Sequence, residues 1–163
     1  MQNFPRYAAT VAVFATVLYA ALVIAAFGLI SLYTDRDVID DPTVGPVVGP
    51  VMTGVAVLIV FVTLLGIALG VREENQRISL GVAFLVGFGA YFFFAVAGAI
   101  LVGAGTGDPF GFISFLARQL LSPFGAAAGV LAFIIAILFM WVLASRVGNK
   151  GRPRWPWEKH EDE

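Results

Sequence analysis

Four long apolar runs, separated by short polar connections, make up most of the chain. Tyr7 to Tyr33 passes 27 residues without a charge, and Pro50 to Gly70 passes 21. At about 1.5 Å per residue these are roughly 40 Å and about 31 Å of helix, enough to cross a hydrocarbon core of ~30 Å. Ser79–Gly103 and Ser122–Ser145 continue the same pattern. The runs predict membrane spans over 7–33, 46–70, 79–103 and 122–145, within one membrane domain covering 1–163 and ending in a tail over 146–163. Between the third and fourth spans, Asp108 and Pro109 have the form of a helix cap and first turn. The following residues to Leu121 place Phe112, Phe115 and Leu116 on one side and Ser114 and Arg118 on another. A helix over 109–121 is too short to span and is expected to lie in the interface. The fold class expected is therefore all-α, an integral membrane four-helix bundle with a short interfacial helix before the fourth span.

Small residues recur at four-residue spacing inside the runs. Ala8, Ala12, Thr16 and Ala20 form one such row, continued by Ala21 and Ala25; Gly66 with Gly70, Ala83 with Gly87 and Gly125 with Gly129 form others. In lipid, such faces let helix backbones approach closely, so these residues are expected at helix contacts. The block Tyr91-Phe92-Phe93-Phe94 covers every side of a helix and cannot line one pocket; some of its rings must face lipid or a partner.

The connection before the second span is the least ordinary part of the sequence. Thr34 to Asp41 holds four aspartates against one arginine, and Pro42, Pro46 and Pro50 follow at four-residue spacing. A proline inside a helix costs about 3 kcal/mol. Because Pro50–Gly70 is long enough to span alone, the regular helix is expected to start at Pro46 or Pro50, with proline in the favoured first turn. The three prolines thus mark a helix start or kink. A broken helix can form a transport site, but such sites usually recruit polar side chains and none is near. Asp35, Asp37, Asp40 and Asp41 allow a cation loop, since hard cations want clustered carboxylates. Counted from Asp35, however, the glycine and glutamate positions of a calcium loop hold Asp40 and Pro46, and a solvated acidic loop explains the same residues.

Composition agrees with lipid as the main solvent. Of 163 residues, 60% are hydrophobic and 13% charged, against about 25% charged in soluble domains; mean hydropathy is +0.91. No Asp, Glu, Lys, Arg or His falls within the four spans, which argues against a proton relay, a voltage sensor or a charged-substrate pump. There is no cysteine, and the single histidine, His160, lies in the tail. Neither a phosphate-binding glycine loop ending in Lys-Ser/Thr, nor HExxH, nor Gly-x-Ser-x-Gly occurs. No enzyme activity, cofactor or resident metal is expected, and no basic stripe invites nucleic acid.

Arginine and lysine decide orientation. With both termini on one side, that side carries eight of the ten basic residues, and the other carries only Arg36 and Arg118. The positive-inside rule then places both termini in the cytoplasm. Arg152, Arg154, Trp155 and Trp157 form a basic-aromatic patch expected to anchor the tail at the interface.

The Ala/Gly/Val-rich spans, the preference for arginine over lysine, the loop DRDVIDDP and the tail RPRWPWE resemble small, uncharacterised four-span integral membrane proteins of actinobacteria. That resemblance implies a bacterial plasma membrane and carries over no functional residue. Three roles remain open: an accessory or structural subunit packing against another membrane protein or its own copy, a passive carrier or pore for a neutral or lipidic solute, and an outward-facing cation-responsive sensor.

Overall fold

The computed structural model describes residues 3–39, 45–70, 78–107 and 109–148. Their helices are α1 (Asn3–Thr34), α2 (Val48–Gly70), α3 (Leu80–Thr106), α4 (Pro109–Leu120) and α5 (Pro123–Gly148). Four of these, all but α4, are long and apolar enough to cross a membrane. The 12 residues of α4 make about 18 Å of helix, well short of a span.

Local chemistry sets the ends. The Val48 N–H donates to the Gly45 carbonyl at 3.2 Å, closing a turn with Pro46 at the position where its fixed φ is favoured. Pro50 then sits in the first turn of α2, where its missing N–H leaves no bond unmade. The helix thus starts at Val48, between the two expected prolines, and takes in Gly49. Pro42, Asp40 and Asp41 lie outside the described residues. At the start of α3, the Ser79 hydroxyl oxygen accepts from the Val82 N–H at 3.4 Å. At its end, Gly107 adopts φ 65° and donates to the Gly103 carbonyl, a left-handed cap that glycine forms without a Cβ penalty. At α5, the Ser122 hydroxyl oxygen accepts from the Phe124 N–H at 3.3 Å, and Pro123 fills the first helical position.

The four long helices form a ring: α1 on α2, α2 on α3, α3 on α5, and α5 back on α1. Neighbours run antiparallel. Met52 meets α3 at Gly98, whereas Ile59 meets it at Gly89. Phe27 stacks edge-on against Phe124, and the Tyr19 hydroxyl reaches the Ala128 carbonyl. One end of the bundle therefore carries the α1–α2 connection and α4, which packs on α3 and, less extensively, on α5.

The buried rows show which face of each helix turns inward. On α1 they are Ala8, Ala12, Thr16, Tyr19, Val23 and Phe27; on α2, Met52, Ala56, Val60, Leu64 and Ala68. A strict four-residue row gains about 40° per step on the helix surface, so a step of three restores the inner face of α1 at Tyr19. Ala20 is only half-buried, and Ala21 and Ala25 are exposed; the small row expected there ends at Thr16. α3 and α5 bury wider faces, because each has more neighbours. Tyr19, Met52, Leu64, Phe94 and Phe139 fill the space between the helices.

Threonine hydroxyls of α1 and α2 are satisfied locally. Thr10, Thr16, Thr34, Thr53 and Thr63 each donate to the carbonyl four residues earlier. In a medium without water this is the cheapest partner available to a helical threonine.

Candidate functional site: a glycine seam and a polar cleft

α3 and α5 cross with their backbones in close approach. A Cβ placed on Gly87 would stand 2.8 Å from the Gly129 carbonyl oxygen and 2.9 Å from the Phe133 Cβ. One placed on Gly129 would stand 2.8 Å from the Tyr91 Cβ and 3.1 Å from the Gly87 carbonyl oxygen. Each glycine thus accepts the other helix's backbone where any side chain would hold the two apart. Ala83 is fully buried, and Gly125 lies in the same seam, its Cβ direction pointing at the Gln119 carbonyl oxygen 3.0 Å away.

Ala8, Ala12 and Thr16 line the inner row of α1. Gly66 and Gly70 do not share that setting. Both are exposed, and a Cβ on either would meet no atom of the described residues within 4 Å. They lie on the outer face of α2, away from the contacts that close the ring. The reason is angular: each falls two residues, about 200°, beyond the buried Leu64 and Ala68.

The aromatic block divides as four consecutive rings must. Phe94 is buried against Phe27. Tyr91 is half-buried and its hydroxyl donates to the Leu120 carbonyl, tying α3 to the end of α4. Phe92 and Phe93 face outward, where Phe92 extends a stacked ladder with Phe84 and Phe88.

A cleft of about 490 Å³ opens at the end of the bundle that carries α4. Arg36 and Asp37, from the connection after α1, and Arg118, near the end of α4, all line it. Phe115, Gln119 and Phe124 are buried lining residues and form its floor. Phe112, Phe115 and Leu116 do turn inward on α4, while Ser114 and Arg118 face out. The same inward stripe continues one turn further to Gln119, which the sequence reading passed over. Gln119 is 5% exposed, and its side-chain Nε2 has no hydrogen-bond partner among the described residues. Its seat is fixed by its backbone: the Gln119 carbonyl accepts from the Ser122 N–H at 3.2 Å. Tyr19 was equally easy to pass over, although a tyrosine on the inner row of a span must find a buried partner. It finds one in the Ala128 carbonyl at 3.1 Å.

The acidic residues split. Asp35 is exposed at φ 52°, and Asp37 accepts from the Ser31 hydroxyl at 3.4 Å; Asp40 and Asp41 lie outside the described residues. Among the described residues, no three acidic, histidine or cysteine side chains group to hold a metal ion. Arg152, Arg154, Trp155 and Trp157 also lie outside the described residues.

No curated protein and no solved structure matches the chain. A family model matches residues 1–163, from end to end. The chain belongs to that family, described as a family of unknown function (DUF6121).

Proposed function

We propose that this chain is an accessory or structural subunit of a bacterial plasma membrane. It crosses the bilayer four times with both termini in the cytoplasm, and packs laterally against another membrane protein or a second copy of itself. The observation that carries this reading is the outward Gly66–Gly70 pair on α2, which stays uncovered after α2 has packed on α1 and α3. In lipid, a small-xxx-small pair is a place where a further helix can approach closely. A pore or carrier draws less support, because Tyr19, Met52, Phe94 and Phe139 occupy the space between the helices.

Gentle solubilisation followed by native mass spectrometry tests the assembly. The expected result is a defined homo-oligomer or a complex with a second membrane protein; a clean monomer would overturn it. Orientation is tested separately. The chain has no cysteine, so a single Arg36→Cys variant reports its own side. Labelling by an impermeant maleimide in intact cells is expected, and labelling only after lysis would reverse the topology.

A further inference from the structure

We infer that the cleft between the α1–α2 connection and α4 is a binding site for a phosphate group. The only two basic residues that the sequence places at this end of the bundle, Arg36 and Arg118, come from segments far apart in the chain and line this one cleft. A guanidinium presents several N–H donors and no acceptor, and it suits phosphate and other oxyanions. The same cleft is lined by Gln119, 5% exposed, whose Nε2 offers N–H donors that nothing among the described residues accepts. An unmade hydrogen bond on a buried group is costly, so a ligand oxygen that accepts from it removes a standing penalty.

The donors point to the charge and shape of the ligand. They come from two separate segments and from both exposed and buried lining positions, a set that a tetrahedral oxyanion with oxygens in several directions can use better than a planar carboxylate. Asp37 also lines the cleft with the two guanidiniums, whereas its neighbour Asp35 is exposed and is not among the lining residues. The remaining lining is apolar, with Phe115 and Phe124 below and Val38, Ile39 and Leu121 around them. That mixture fits a phosphate carried on an apolar body, as in a phospholipid headgroup, better than a free ion. The site does not depend on lateral packing, and its test reads ligand binding, not assembly.

The test uses the full chain in an uncharged maltoside detergent, titrated calorimetrically with three probes: dihexanoyl phosphatidic acid, inorganic phosphate and dihexanoylglycerol. Phosphatidic acid is expected to bind, and the phosphate-free glyceride is not. Comparable binding of inorganic phosphate would assign the site to a soluble phosphate; binding of the lipid alone would assign it to a headgroup. Arg36→Gln and Arg118→Gln, both at exposed positions, are expected to weaken binding at least tenfold. Arg6→Gln, at the opposite end of the bundle, is expected to leave it unchanged. Gln119→Leu should also weaken it; should that buried variant not fold, the two arginine variants decide. The inference is overturned if neither phosphate compound binds, if the glyceride binds as well as the phosphatidic acid, or if both arginine variants bind like the parent chain.

Discussion

Gly125 and Gly129 on α5 and Gly66 and Gly70 on α2 repeat one sequence pattern, two glycines four residues apart in an apolar span. The first pair is buried in the crossing with α3, where Gly129 leaves the Tyr91 Cβ no room for another carbon. The second pair faces outward with no atom near. What separates them is the rest of their helices. On α5 the glycines share a face with Ala128 and Ala132, between the large buried rings of Phe124 and Phe139. On α2 the inner face belongs to Met52, Val60 and Leu64, and the glycines fall opposite. A small-residue pair is thus a capacity for close approach, and the large residues around it decide who may use it.

The largest expected effect comes from closing the crowded pair. In Gly87→Ala the new Cβ meets a backbone oxygen at 2.8 Å and the Phe133 Cβ at 2.9 Å, neither of which can yield without moving a helix. Overpacking of this kind costs about 1–3 kcal/mol. Reversible unfolding in mixed micelles should show that loss for Gly87→Ala and for Gly129→Ala. The double variant should lose less than the sum, because once the helices have separated for one methyl the second finds space. Parent-like stability would mean that α3 and α5 do not cross here.

A smaller loss is expected where the same seam is held by a side chain. Tyr91 touches Gly129 and donates its hydroxyl to the Leu120 carbonyl. Tyr91→Phe keeps the ring in the seam and removes the tie to α4, a change of about 0.5–1.5 kcal/mol. Proteolysis or hydrogen exchange should report it as loosening of α4 ahead of the spans; uniform loosening would count against a local tie.

The seam between α1 and α5 has no glycine crossing and relies on Tyr19, which bonds the Ala128 carbonyl at 3.1 Å. Ala128 lies within α5, so its carbonyl has a helical partner as well. Hydrogen bonds between membrane helices average about 0.6 kcal/mol, and Tyr19→Phe should lose about that much in the same unfolding assay. A loss as large as that of Gly87→Ala would show that α1 is held more tightly than its narrow inner row implies.

The spans and the short fourth helix are legible in the sequence, because each rests on length and on the absence of charge or on a capping signal. Facing is less so. A soluble helix advertises its inner side by polar residues on the other, whereas α2 is apolar all round and offers no such contrast. Four-residue rows of small residues are then the only marker, and they do not separate Ala8, Ala12 and Thr16, which lie on the inner face, from Gly66 and Gly70, equally expected at a helix contact, which are exposed. The cleft was hidden for another reason. Arg36 and Arg118 appear in the sequence only as two isolated charges, and nothing local to either says that the α1–α2 connection lies against the end of α4. Gln119 could have been noticed as the polar continuation of the Phe112, Phe115 and Leu116 stripe; its lack of a partner could not.

The smallest effect on stability, and the sharpest test of the comparison, is expected at the open pair. Gly66→Ala adds a methyl where nothing lies within 4 Å, and alanine favours a helix over glycine by as much as about 1 kcal/mol. Stability of the isolated chain should stay level or rise slightly, in contrast to Gly87→Ala. Gly66→Leu with Gly70→Leu goes further, because it builds a ridge on the outer face without touching the bundle. If that face receives another helix, native mass spectra should show the assembly dissociating while the unfolding transition of the chain itself stays within about 0.5 kcal/mol of the parent. Persistence of the assembly would move the lateral contact to another face. A destabilised chain, by contrast, would mean that α2 turns these glycines inward, and the distinction between the two pairs would fail.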